Sequence, residues 1–305
     1  MARGECRKEW GCEPGCKKGV SFAANKQHLE SYRRILTTCD AFTCSTPAVL
    51  EAVSKEVNLT RTRIFPNCVR FDQYPKLELR QDPDRVNILW QGGGAHYEDW
   101  FPLRDALGSI TRRYPEVHWI IWGALYQWAM ELIPPDRYTF IPWCAYPEYK
   151  LRRVMINDDI NLAPLEENRF NSSRSAIKFY EATVSHKPAA TLAQRSGAYK
   201  DEMIDGETGL LFSDPREFET KLASLIENRA ERRRLAQNGK DWVNENRNAF
   251  REVPKHIQYL EQVRDEVRRD RPHMSDSAWK VFEDEAKKEQ EEAESGALQL
   301  QPQAG

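Results

Sequence analysis

The sequence has no run approaching the roughly 18 consecutive apolar residues of a membrane-spanning helix. Its start is charged and polar, without the apolar region of a signal peptide. The expectation is a cytoplasmic protein with no spanning segment. Charge of one sign is missing too. The 45 Lys and Arg stand against 47 Asp and Glu, a formal net charge of −2. That balance makes no global electrostatic case for nucleic acid or for an anionic membrane. There is no GxGxxG motif, and no acidic residue follows the one glycine run at the dinucleotide spacing, so an NAD enzyme is a poor fit. No internal repeat is visible. Cysteine is limited to 7 residues, an odd number. Cys6, Cys12 and Cys16 cluster near the start. Zinc needs a fourth ligand, and the gap from Cys6 to Cys12 exceeds the usual spacing. His28 can supply that ligand, but nothing in the spacing demands it. We read reduced thiols and no metal, the cytosolic default.

What is present is a regular alternation of elements. Residues 1–27 read as a loop-rich start, with glycines and no periodicity. His28–Thr38 is helical by the recurrence of Leu29, Tyr32, Ile35 and Leu36. Ala41–Cys44 is a short strand. Thr46-Pro47 opens a helix that runs to Val57, the hydroxyl capping it and the proline at its first position. Arg63–Phe65 is another short strand, and residues 70–84 form a connector. From Val86 strands and helices alternate: strands at Val86–Trp90, Val117–Trp122, Tyr138–Ile141, Ile160, Ala189 and Gly209–Phe212. Helices follow Leu103, Tyr126 and Pro147, and Pro215–Glu227 and Glu231–Glu245 close the series. Such alternation means a Rossmann-like parallel sheet with helices on both faces, an α/β fold. Arg251–Arg271 is a further helix. From Glu283 to Glu294 the chain is strongly acidic and fades into a polar tail.

One stretch organises the rest: Asn171-Ser172-Ser173-Arg174-Ser175-Ala176-Ile177-Lys178-Phe179-Tyr180-Glu181. It follows the strand at Ile160 and precedes the one at Ala189. Asn171, Ser172 or Ser173 can cap a helix here. Ala176, Ile177, Tyr180 and Val184 would face the sheet, and Arg174, Lys178 and Glu181 would share another side. A helix N-terminus with two cations suits a phosphate, and the carboxylate suits a hydroxylated ring such as ribose. Three charges on one helix face also read as a solvated face with internal ion pairs. Position favours the ligand, because open α/β sheets bind at the carboxyl ends of their strands. Gly92-Gly93-Gly94 lies at another such end, where glycines admit a close phosphate or sugar, or merely make a tight turn. Most tryptophans read as core; Trp100 and Trp143 read as lying near loop mouths, where they can meet a base or sugar.

In order and spacing, the landmarks resemble the C-terminal half of a GT-B glycosyltransferase. The group is the one called glycosyl transferases group 1, or family 4. Ile64-Phe65-Pro66-Asn67 resembles its hinge. Trp90 to Asp99, with Gly92, Gly93, His96 and Asp99, resembles the first strand and loop of the donor domain. Trp119–Gly123 and Asp159–Leu165 resemble later strands, and Lys178, Glu181, Lys187-Pro188 and Gly206–Leu211 resemble the donor helix and its sequel. The resemblance covers about residues 30–250. It implies a nucleotide-diphosphate sugar as donor substrate, no cofactor, and retaining transfer to an acceptor hydroxyl. It places the diphosphate at Ser175 and Ala176 with Arg174 and Lys178 as cations, the ribose on Glu181 and a donor contact at Gly93, while His96 is either a donor contact or a turn residue of the glycine loop. No catalytic residue follows from it. The first Glu of the family's Glu-x7-Glu motif falls at Ser173, with Glu166 or Glu167 as loop substitutes. It implies a domain plan of residues 1–66 as the remnant of an acceptor-side Rossmann domain, 67–271 as the nucleotide-sugar domain and 272–305 as a tail. Either the reading frame is truncated or a partner chain supplies the missing half. The alternative is a nucleotide-sugar-binding or interaction module without turnover. A phosphorylase or epimerase on the same fold stays open.

Overall fold

The computed structural model describes residues 22–79 and 82–270. The Cys6, Cys12 and Cys16 cluster and the acidic stretch at Glu283–Glu294 lie outside the described residues. The chain divides into two compact units, one up to Lys255 and one from His256.

The first unit is built on a sheet of six parallel strands: β3 (Val86–Gly92), β4 (Val117–Gly123), β5 (Tyr138–Pro142), β6 (Ile160–Ala163), β7 (Ala190–Gln194) and β8 (Leu210–Phe212). Their order is β5-β4-β3-β6-β7-β8. Counted from β3 this is the 3-2-1-4-5-6 order of a doubly wound Rossmann sheet, as the alternation predicts. The strands are apolar on both faces because helices cover both. On one side Ile88, Trp90, Trp119, Ile121 and Leu162 pack against α4 (Arg104–Arg113), α5 (Gln127–Leu132) and α9 (Pro215–Glu227). On the other, Ala163, Ala193 and Leu211 meet α6 (Tyr146–Met155), α7 (Ile177–Glu181), α8 (Gly197–Lys200) and α10 (Arg229–Asn246). Trp90 stacks on Trp100 with ring centroids 4.2 Å apart. Trp100 is fully buried. The expectation that it stands at a loop mouth is therefore wrong: α3 (Tyr97–Trp100) turns it inward onto the sheet.

Ahead of the sheet lie α1 (Phe22–Thr38), a parallel pair β1 (Phe42–Cys44) and β2 (Thr62–Ile64), and α2 (Pro47–Ser54) between them. Thr46 caps α2 as read from the sequence, accepting the Val49 amide at 3.3 Å. α1 begins six residues earlier than the apolar spacing implies, because that spacing marks only the turns that carry large apolar side chains. α11 (Ala249–Asp270) follows α10 and carries Pro254 inside it.

β3 and β4 end side by side on glycines. Gly123 has φ +108°, and a Cβ there would stand 2.5 Å from the Gly92 carbonyl oxygen. The two strand ends can therefore approach only without a side chain at this position. Gly123→Ala should cost about 2–4 kcal/mol. Urea unfolding that shows less than about 0.5 kcal/mol would contradict the reading.

Candidate active site

The sheet's strand order reverses between β3 and β6, and that switch point is where a doubly wound sheet opens a crevice at its carboxyl edge. Two cavities meet there, both lined by Ile177 and Lys178. One, of about 300 Å³, is walled by Gln91, Gly93, Trp122, Trp143, Tyr149 and Glu181. The other, of about 400 Å³, is walled by Asn67, His96, Ser173, Arg174 and Ser175. The structure thus brings Gly93, His96, Arg174, Ser175, Lys178 and Glu181 to one cleft. Ala176 lies beneath them, fully buried.

The segment that carries these residues differs from its sequence reading in three ways. Asn171–Ser173 forms a separate 3-10 turn, Arg174 is extended, and α7 begins only at Ile177. Asn171, Ser172 and Ser173 are therefore not its caps. Its N-cap is Ala176, which has no side chain to accept a hydrogen bond. With five residues, α7 has a weak dipole, so side-chain cations rather than the helix end dominate the local charge. Finally, Ile177 turns outward and Phe179 inward. The break at Arg174 shifts the helical phase, and periodicity counted from Asn171 misses that shift.

The break has a cause. Asp99, 6% exposed, accepts the Asn171 Nδ2 at 3.1 Å and the Glu166 amide at 2.8 Å. Asn171 also donates to the Glu166 carbonyl at 2.8 Å. These bonds pull the loop after β6 onto α3 and hold residues 166–171 in a turn. The same Asp99 accepts the His96 Nδ1 hydrogen at 2.6 Å. His96 Nε2 lies 3.2 Å from an Arg174 Nη1, so the neutral ring donates at one nitrogen and accepts at the other. Burial pushes the His96 pKa down, which agrees with that neutral form, although Asp99 opposes it. Asp99 through His96 thus aims the Arg174 guanidinium, which also lies over the Phe170 ring at 5.3 Å. From the sequence Asp99 is legible only as a landmark, because its partners are far away in the chain.

Lys178 occupies the junction of the two cavities. Its Nζ is shielded from solvent and has no hydrogen-bond partner. Burial pulls its pKa down to about 8; Arg174 adds to the fall, while Asp99 and Glu181 oppose it. Its backbone carbonyl accepts from Asn161 on β6 at 3.2 Å, which pins the lysine to the strand end. Glu181 accepts the Tyr149 hydroxyl at 2.6 Å and a longer bond from Gln91 at 3.4 Å. Burial raises its pKa, against those bonds and the charge of Arg153. Arg153 itself is buried and paired with Asp158 at 2.9 Å. Tyr149 stacks on Trp122 with centroids 4.5 Å apart, and Trp143 stands 77% exposed at the rim. Tyr149 and Gln91 escape the sequence reading: nothing in their spacing links them to Glu181. Ser173 brings no carboxylate; its Oγ donates to the Arg169 carbonyl. Glu166 and Glu167 are exposed on the loop.

The hinge segment closes the second cavity. Asn67 donates to the Ser175 hydroxyl at 2.7 Å, and the Thr46 hydroxyl donates to the Ser173 carbonyl at 3.0 Å. Gly93 leaves open space beside its Cα, so its backbone faces the first cavity unobstructed. Among the described residues no cluster of metal-ligating side chains forms, and no helix is long and apolar enough to cross a membrane.

A family model described as "Glycosyl transferase-like" matches residues 102–249, which include every cleft residue from Trp122 to Glu181. No curated protein matches the chain in sequence. Solved structures do match in fold. Sucrose-phosphate synthase from Thermosynechococcus elongatus aligns with 14% identity and a TM-score of 0.58, over 83% of this chain and 64% of its own. HepE from Anabaena, solved in complex with UDP, aligns with 14% identity and a TM-score of 0.60, over 78% and 68%. TarM from S. aureus aligns with 12% identity and a TM-score of 0.58, over 81% and 48%. The chain therefore spans less than two thirds of the first and under half of the third. Residues 102–249 thus match a glycosyl transferase-like family model, and the chain shares the GT-B fold of these solved glycosyltransferases, as the resemblance to the group 1 glycosyltransferases implies.

Proposed function

We propose that the cleft binds a nucleotide-diphosphate sugar and serves its retaining transfer to an acceptor hydroxyl. One observation carries the reading: the Lys178 ammonium lies unpartnered and shielded at the junction of two cavities, with Arg174 beside one and Glu181 beside the other. A buried cation without a bond is costly unless an anion meets it. A diphosphate between Lys178 and Arg174 supplies that anion, and the Ser175 hydroxyl borders the same cavity. The Glu181 carboxylate, held by Tyr149, is placed to accept both ribose hydroxyls, with a base against Trp143 and Tyr149. Glycosyl transfer needs the departing diphosphate stabilised more in the transition state than in the ground state. Arg174 and Lys178 perform that task. HepE structures with UDP and with UDP-glucose support a donor of this class.

The second reading is a nucleotide-sugar-binding module without turnover. Ser173 favours it, because it replaces a carboxylate that the family resemblance places against the sugar. So does the partial coverage of the relatives, which leaves the acceptor side to a further stretch or to a partner chain. Release of free sugar from the bound donor, or its transfer, separates the two readings.

Lys178→Met should stabilise the ligand-free protein by about 1–3 kcal/mol at pH 7, a few degrees of Tm. The sign follows from the direction of the shift. The folded pKa lies below the ordinary 10.5, so the folded state disfavours the charged form. The penalty is full below about 8 and fades as pH rises toward the unfolded value. The gain in Lys178→Met should therefore shrink by pH 10; a variant that loses stability at pH 7 contradicts the assignment. The same variant should bind UDP more weakly by about 1–3 kcal/mol. Wild-type affinity should fall as pH rises through about 8. Affinity unchanged in the variant and flat with pH would remove the lysine from the site. Glu181→Gln should lose the preference for UDP over dUDP; equal discrimination in both forms would sink the ribose assignment.

A further inference from the structure

The second basic concavity lies at the other end of the sheet. Asp159 immediately precedes β6 and Lys187 lies three residues before β7, so they mark the amino edge, opposite the cleft. With Arg229, Arg232, Arg233 and Gln237 they line a cavity of about 310 Å³. The helix α10 that supplies the arginines starts there, and its sequence Arg229-Ala230-Glu231-Arg232-Arg233-Arg234 puts four cations in its first two turns. Cations at a helix N-terminus oppose the dipole. The one acid in the run, Glu231, pairs with Arg234 at 2.6 Å. Asp159 is also committed: it accepts Lys187 Nζ at 2.6 Å and the Asn87 amide at 2.9 Å. Arg229 and Arg233 are exposed and make no ion pair among the described residues.

A solvated arginine face would satisfy the helix without any ligand, but Arg232 does not belong to one. It is 6% exposed. Its Nη1 donates to the Leu225 and Ile226 carbonyls at 2.5 and 3.1 Å, at the end of α9. Its Nε and Nη2 have no partner among the described residues, and the side chain lines the cavity. Burial pushes its pKa below the ordinary range; Asp159 opposes that, and Arg229 and Arg233 add to it. A guanidinium fixed by one nitrogen and flanked by two further guanidiniums offers the planar, multi-donor geometry that phosphate oxygens accept.

We propose that this amino-edge cavity is a binding site for a phosphate group, separate from the nucleotide cleft. Arg232 is the buried anchor, and Arg229 and Arg233 close over the ligand from the rim. The site's charge is local, so the chain's near-neutral total does not count against it. The proposal does not depend on the reading of the cleft.

Calorimetric titration of the full chain with inorganic phosphate, at ionic strength held constant with potassium chloride, tests it. Wild type should bind. Arg229→Ala/Arg233→Ala should bind at least tenfold more weakly with a melting temperature no lower than that of wild type, since both residues are exposed and both oppose the helix dipole. Lys178→Met should keep the phosphate binding that Arg229→Ala/Arg233→Ala loses, which separates this site from the cleft. Sedimentation with phosphatidic acid vesicles against pure phosphatidylcholine vesicles identifies the source. Pelleting that the double variant loses assigns the phosphate to a lipid headgroup, and phosphate binding without pelleting assigns it to a free metabolite. Neither probe bound by wild type, equal binding by the double variant, or phosphate binding lost in Lys178→Met overturns the proposal.

Discussion

A lysine ammonium screened from water and without a hydrogen bond is the constraint around which the cleft is arranged. Desolvation of a cation costs several kcal/mol before any partner is counted. The surrounding groups only partly offset that cost: Asp99 and Glu181 attract the charge, Arg174 repels it, and desolvation prevails. A core position that needed only packing would carry an apolar side chain of the same length. The fold instead fixes the lysine through Asn161 on β6 and surrounds it with groups that are themselves held by buried bonds. The chemistry follows from that placement, because the carboxyl edge of a reversed strand order leaves room for a ligand where the cation points.

Two supports hold the surrounding groups. Asp99 ties the loop after β6 to α3 and, through His96, directs Arg174. Tyr149, stacked on Trp122, holds Glu181. Both supports start on the β3 side, Asp99 after β3 and Trp122 on β4, and reach groups carried by the segment after β6, so the cleft depends on the register of β3 and β6, in which Ile88 pairs with Ile160 and Trp90 with Leu162. The glycines that end β3 and β4 complete the arrangement by keeping the floor free of side chains. The amino-edge cavity uses the same sheet with reversed polarity: its arginines come from α10 rather than from a strand loop, and its one carboxylate is already neutralised by Lys187.

The alternation of strands with helices from Val86 made the sheet legible in the sequence, because both of its faces are buried and its strands are nearly continuous apolar runs. Thr46 with proline at the next position marked a helix start that the structure keeps. Arg174, Lys178 and Glu181 were legible as a group because they are close in sequence. The form of their segment was not. The turn at Asn171–Ser173 depends on Asp99, 72 positions away, and local spacing carries no trace of such a bond. Tyr149 and Gln91 were hidden for the same reason, since each meets Glu181 only after the sheet has formed. Trp100 was misplaced because a short helix after a glycine loop can send a large ring either way, and stacking on Trp90 decided it.

The most direct test of the central claim is a thermal-shift series of the purified chain against UDP, GDP, ADP and CMP sugars. A donor at a hundred times its dissociation constant adds about 2.7 kcal/mol to the folded state. The account predicts a clear rise in Tm with at least one nucleotide-diphosphate sugar, reproduced by its nucleoside diphosphate and absent with the nucleoside alone. No rise with any of them, or a rise as large with the free nucleoside, would contradict a diphosphate site at Lys178.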